Sequence, residues 1–203
     1  MYNTKTAIIN NDEFQSNYLP VGINDSITLK EVSVKKSQTG KDFIEIIFED
    51  KDERTVSMSE WENEKNMWIK TDEELQKRND LQFGRFMQII NCYYPEVEDV
   101  TLNSFSDMIN WVKSKLDPVI SNKKSLRLKV VYNKRGYTTV SSNGIFVEPM
   151  DVTESQIKLF KRDLLERPIQ ADVEKSADPL IGNVPTNNTD IPVTSENDSN
   201  LPF

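Results

Sequence analysis

The eight residues Ile27-Thr28-Leu29-Lys30-Glu31-Val32-Ser33-Val34 decide how the chain is read. Ile27 and Leu29, then Val32 and Val34, alternate with polar neighbours, the period-two pattern of a half-buried strand. The phase changes at Lys30-Glu31. One inserted residue, a β-bulge, produces such a change and bends the strand. Ser37-Gln38-Thr39-Gly40 then reads as a hairpin turn. Residues 43–49 form a second strand with Ile44, Ile46 and Phe48 on one face. Residues 55–61 form a third, with Val56 and Met58 inward and Trp61 on the polar, outward side. The three strands make a meander.

Helical spacing follows. Thr71-Asp72-Glu73-Glu74 is a capping box, and Phe83, Phe86, Met87, Ile90 and Tyr94 recur on one helical face. Phe105, Met108, Ile109, Val112 and Leu116 form a second stripe, stopped by Asp117-Pro118. Strands return with Leu126, Leu128, Val130 and Tyr132 in one phase and Arg127 and Lys129 in the other. Asn133-Lys134-Arg135-Gly136 is a turn, and residues 137–140 and 145–147 complete the sheet. Thr153 and Gln156 sit in capping-box register ahead of Ile157, Phe160 and Leu164, which predicts a last helix over 153–167. The chain therefore divides into an N-terminal extension (1–26), a domain (27–167) carrying a helical insert (about 71–117), and a tail (168–203). Three strands, a helical connection and closing strands are the order of a five-stranded Greek-key barrel of the OB type. The expected fold class is mainly β with helical insertions.

Composition narrows the chemistry. The net charge is -8, but residues 168–203 carry -5 of it, so the body is close to balanced at -3. The tail holds five prolines among Asn, Thr, Ser and Asp, and only Phe203 of eighteen aromatics. It cannot bury enough apolar surface to offset its ordering entropy, and disorder is expected. Histidine is absent and Cys92 is the single cysteine, which excludes an internal disulfide, Cys/His zinc sites and His-based catalysis. Cys92 falls in the apolar helical pattern and reads as a core thiol. No cofactor or metal is expected. No apolar run approaches a membrane span, and the start lacks a secretory pattern, so a cytoplasmic protein is expected, in a host cytoplasm if viral.

An OB barrel binds single strands over strands two and three, between the loops joining strands one and two and strands four and five. Lys35, Lys36 and Lys41 bound the first loop; Lys134 and Arg135 lie in the second. Arg127 and Lys129, on the outward phase of their strand, would extend this phosphate track. Trp61 and Tyr137 are the stacking candidates, with Trp68 and Tyr132 behind them. Glu45, Glu49 and Asp50 would oppose phosphate if they faced the groove.

The last residues are Glu196-Asn197-Asp198-Ser199-Asn200-Leu201-Pro202-Phe203. This tip resembles that of bacterial single-stranded DNA-binding proteins, in which an acidic run leads into an aliphatic residue, proline and phenylalanine. The acidic lead here is thinner, with Glu196 and Asp198 alone. The layout of barrel, helical insertions and acidic tail resembles bacteriophage single-stranded DNA-binding proteins, as does the segment Lys129-Val-Val-Tyr-Asn-Lys-Arg-Gly-Tyr137. The resemblance implies sequence-tolerant binding of single-stranded DNA in replication, recombination or repair, without catalysis. It further implies that Glu196, Asp198, Leu201, Pro202 and Phe203 dock replication or repair proteins. Two other readings stand beside it: a viral assembly protein with the barrel as scaffold, and a Mg²⁺-dependent carboxylate nuclease.

Overall fold

The computed structural model describes residues 16–168. These build β1 (Gly22–Lys36), β2 (Asp42–Glu49), β3 (Thr55–Trp61), α1 (Asp72–Asn91), α2 (Phe105–Leu116), a short 3-10 helix (Asp117–Asn122), β4 (Leu126–Tyr132), β5 (Thr138–Val140) and β6 (Val147–Pro149). The strands form one antiparallel sheet of six, in the order β3-β2-β1-β4-β5, with β6 also paired to β4.

β1 organises the sheet because it serves two partners. Its first part pairs with β4, from Gly22 opposite Val130 to Ile27 opposite Leu126, and the remainder with β2. The β1–β2 register shifts between Leu29 and Glu31, where the sequence places the bulge. A second irregularity lies between Asn24 and Ile27, where Ser26 takes φ +58°. A bulge strengthens twist and re-aims a strand, so one chain segment reaches both neighbours.

Ile44, Ile46, Phe48, Val56 and Met58 all point inward and are buried, as their alternation requires. They meet Phe86, Ile89 and Ile90 of α1 and Met108, Ile109, Val112 and Leu116 of α2 in one continuous core. Burying each such large side chain contributes about 1.5–3 kcal/mol. The Thr71–Glu74 capping box is formed in both directions, Ser104 caps α2, and Pro118 stands at the start of the 3-10 helix. Cys92 is buried, its Sγ donates to the Gln88 carbonyl, and burial pushes its thiol pKa up to about 12.

Three expectations are corrected. The sheet has six strands and is not closed into a five-stranded barrel. The N-terminal boundary at residue 26 is too late: β1 begins at Gly22, and Asn17–Leu19 already bond to Thr55 at the start of β3. The helix over 153–167 does not form. Its capping residue is diverted, since the Gln156 amide donates to Glu148 Oε2 at 2.9 Å. Farther on, the Phe160 amide donates to Asp163 Oδ2, and the Lys158 and Leu164 carbonyls accept from Lys129 Nζ and the Tyr132 amide. Bonds to the sheet and to local side chains replace the helical ladder. The tail and its tip lie outside the described residues. Among the described residues no helix is long and apolar enough to cross a membrane.

Candidate nucleic-acid interface

Trp61 closes β3 opposite Phe43 of β2, and the rings stack with centroids 4.3 Å apart and 18° between planes. Trp61 is 43% exposed. Phe43 covers one face, so a second aromatic plane can only add on the open side.

The opposite end of β3 carries the β4–β5 turn. Asn133 organises it: its Oδ1 accepts from the Arg135 and Tyr137 amides at 2.9 and 3.1 Å, and its own amide donates to the Tyr137 carbonyl. Gly136 takes φ +78°, a region that disfavours side chains. Tyr137 is held there at 63% exposure. Thr139 Oγ1 donates to the Ser57 carbonyl at 3.1 Å, tying β5 to the outer edge of β3. Trp61 and Tyr137 therefore flank one strand of seven residues, roughly 20 Å long at the rise of an extended chain.

The basic residues divide into three groups. Lys35 pairs with Glu45, Lys36 with Asp42 at 3.0 Å, and Lys41 with Glu64 at 2.7 Å, so the first loop presents neutralised pairs. Lys134 and Arg135 make no ion pair among the described residues. The third group leaves the interface. Arg127 is fixed between Asp25 at 2.7 Å and Glu148 at 2.9 Å. Lys129, read as outward-facing, has 0% exposure.

The burial of Lys129 has a clear cause. β4 is covered on both faces, because the connection after β5 and the segment around residues 157–164 cross its outer side. Lys129 Nζ donates to the Asn143 carbonyl (2.7 Å), the Lys158 carbonyl (2.8 Å) and Asp163 Oδ2 (3.2 Å), and lies 4.6 Å from the Phe160 ring centroid. Asp163 also accepts from Ser141 and Asn143. Burial pushes the Asp163 carboxyl up, but bonds from Asn143, the Phe160 amide and Lys129 outweigh it and leave its pKa below the usual value. Lys129 is a clasp for the C-terminal segment.

The acids on the sheet are also accounted for. Glu45 pairs with Lys35, Glu49 with Lys30 (2.9 Å) and Lys123 (2.8 Å), and Asp50 with Arg54 (2.6 Å). Their repulsion of phosphate is offset locally.

Two further aromatics matter. Trp68 is 81% exposed at the tip of a tight turn closed by Asn66 and Ile69, beside Met67, which is also exposed. Tyr132, read as inward, is half-buried and lines an open groove of about 850 Å³ beneath the β4–β5 turn. Sequence reading missed Tyr18 and Arg167, which line the same groove. The available signal was Tyr18 immediately ahead of the apolar-turn pattern Leu19-Pro20-Val21-Gly22. Among the described residues no cluster of three acidic or cysteine side chains could hold a metal ion. No protein-family model matches the chain, and no curated protein does.

Proposed function

We propose that the chain binds single-stranded DNA without strong sequence preference and recruits partner proteins through its C-terminal tip. The observation that carries this reading is the pair of exposed aromatic side chains, Trp61 and Tyr137, at the two ends of β3. Stacking on aromatic planes combined with basic side chains is how single strands are held without reading sequence. We read the sheet as a partly open OB-type Greek-key barrel whose β3–β5 seam is bridged by the Thr139–Ser57 hydrogen bond without a strand ladder, a fold whose members are often only partly closed. The deciding experiment is a titration of single-stranded DNA, single-stranded RNA and duplex DNA. Preferential single-strand binding supports the proposal; equal or absent binding to all three overturns it.

Salt dependence tests the electrostatic part. Each phosphate contact on a single strand contributes roughly 0.7 to the slope of log affinity against log salt. A Lys134→Gln/Arg135→Gln variant should therefore flatten the slope by about 1.4. An unchanged slope would place the phosphate track elsewhere.

The tip supplies a separable function. Deleting residues 196–203 should abolish recruitment of replication or repair proteins, because Leu201, Pro202 and Phe203 are the apolar anchor. The deletion also removes two carboxylates that repel phosphate, so single-strand affinity should hold or rise, most at low salt. A pull-down and a titration on the same truncated protein check both parts. Lost DNA binding with intact recruitment would refute the division.

An assembly protein is the rival reading, and one observation favours it. Met67 and Trp68 project side by side into solvent from the turn closed by Asn66 and Ile69, and two adjacent exposed apolar side chains suit a protein partner.

A further inference from the structure

We infer that the groove beneath the β4–β5 turn is a subsite for one nucleotide of the bound strand, walled by Tyr18 and Tyr137, with Arg167 as its phosphate contact. The inference rests on the single-strand reading above and assigns roles to two residues outside it. The groove's volume, about 850 Å³, is in the range of roughly 300–1,000 Å³ typical of small-molecule sites.

Tyr18 is rigidly presented. Leu19 is buried, its amide donates to the Thr55 carbonyl at 3.0 Å, and the Thr55 amide donates back to the Asn17 carbonyl at 2.9 Å. The backbone on either side of Tyr18 is thus paired to β3, while its side chain is 62% exposed. A tyrosine held in solvent on fixed backbone adds little to folding. Its backbone is already ordered before a base arrives, so stacking has only the side-chain torsions left to fix. Tyr137 is presented the same way by Asn133 on the other wall.

Arg167 supplies the charge. Its side chain runs along Gly136, where a Cβ would stand 3.2 Å from Nε, so the missing side chain of Gly136 leaves its path open. It makes no ion pair among the described residues. The other arginine of the groove, Arg54, is held by Asp50 and Asp52 at 2.6 and 3.3 Å. Shared between two carboxylates, Arg54 has no charge to spare for a ligand, and among the described residues Arg167 is the groove cation without an acidic partner. A guanidinium suits a phosphate through its planar set of donors, and aromatic rings suit a base of any identity. Together they match a nucleotide unit better than an acidic peptide, which would leave the two rings without stacking partners.

The test is fluorescence anisotropy of a labelled oligothymidylate with the full-length protein and the variants Tyr18→Ala, Tyr18→Phe and Arg167→Gln, with thermal unfolding measured on each. Tyr18→Ala should bind about 5- to 150-fold more weakly, the loss expected for one stacked base. Tyr18→Phe keeps the ring and should bind as the parent does. Arg167→Gln should flatten the salt slope by about 0.7. All variants should unfold at the parental temperature, since both side chains lie at the surface. Parental binding with no effect of Tyr18→Ala or Arg167→Gln would overturn the subsite and leave the wider reading standing. No single-strand binding by the parent would overturn both. If Arg167→Gln loses a poly-glutamate probe but not the oligonucleotide, the groove takes acidic polypeptide and the nucleotide assignment is wrong.

Discussion

A Lys129→Met chain is expected to be less stable than the parent by about 3–5 kcal/mol, the cost of stripping one partner from a buried ion pair. For a chain of this size that corresponds to a fall in Tm of roughly 6–20 °C. Both side chains of the Lys129–Asp163 pair are fully buried. Removing the ammonium leaves two carbonyls, those of Asn143 and Lys158, without a donor they now use. Asp163 keeps bonds from Ser141, Asn143 and the Phe160 amide, which favours the lower end of the range. A Lys129→Met/Asp163→Leu variant should lose less than the two single changes combined, because no isolated charge remains. Urea unfolding of the four proteins checks both statements. A Lys129→Met protein within 1 kcal/mol of the parent would show that the clasp does not hold the segment. The consequence extends to function, because the clasped segment leads directly to Arg167 at the groove.

The Lys129 clasp also marks where sequence reading stops. Alternation places a residue on one side of a strand, and it placed Lys129 correctly on the side opposite Leu128 and Val130. It cannot tell whether that side faces water. The cover comes from residues far along the chain, and its own signal was misread: Thr153, Gln156, Ile157, Phe160 and Leu164 have helical spacing, yet their backbone bonds go to Glu148, Asp163, Lys129 and Tyr132. Tertiary partners overrode a local pattern. The meander was legible because its signals are local and mutually consistent. The Lys30-Glu31 phase change, the inward Ile44, Ile46, Phe48, Val56 and Met58, and the Thr71 capping box each need only their neighbours to be interpreted. Gly22 to Ser26 belong to β1, yet polar Asn24, Asp25 and Ser26 carry no apolar alternation, and the register shifts there with Ser26 at φ +58°. For the interface, exposure of Trp61 and Tyr137 followed from strand phase and turn position. Tyr18 is marked in the sequence only by its place ahead of Leu19-Pro20-Val21-Gly22, and Arg167 by nothing, since both meet the β4–β5 turn through the folding of two distant segments.

Removing both Trp61 and Tyr137 should cost the largest share of binding. Each stacked base is worth roughly 1–3 kcal/mol by alanine substitution. The two residues stand at opposite ends of β3, about 20 Å apart by strand rise, beyond the distance at which substitutions usually couple. Their effects should therefore add, and Trp61→Ala/Tyr137→Ala should lose about 2–6 kcal/mol, at least 30-fold in Kd for oligothymidylate. Stability should respond differently at the two sites. Trp61 stacks on Phe43, so its truncation also removes an aromatic pair worth about 0.5–1.5 kcal/mol. Tyr137 is solvated and its turn is held by Asn133 backbone contacts, so Tyr137→Ala should unfold as the parent does. Trp61→Phe keeps a ring on Phe43 and should recover most of both losses. Anisotropy titration with parallel thermal unfolding separates the cases. Weakened binding by Tyr137→Ala at parental Tm would tie affinity to stacking rather than to folding. If the doubly substituted protein binds single strands as tightly as the parent, β3 is not the floor of the interface, and the two exposed rings serve a protein partner instead.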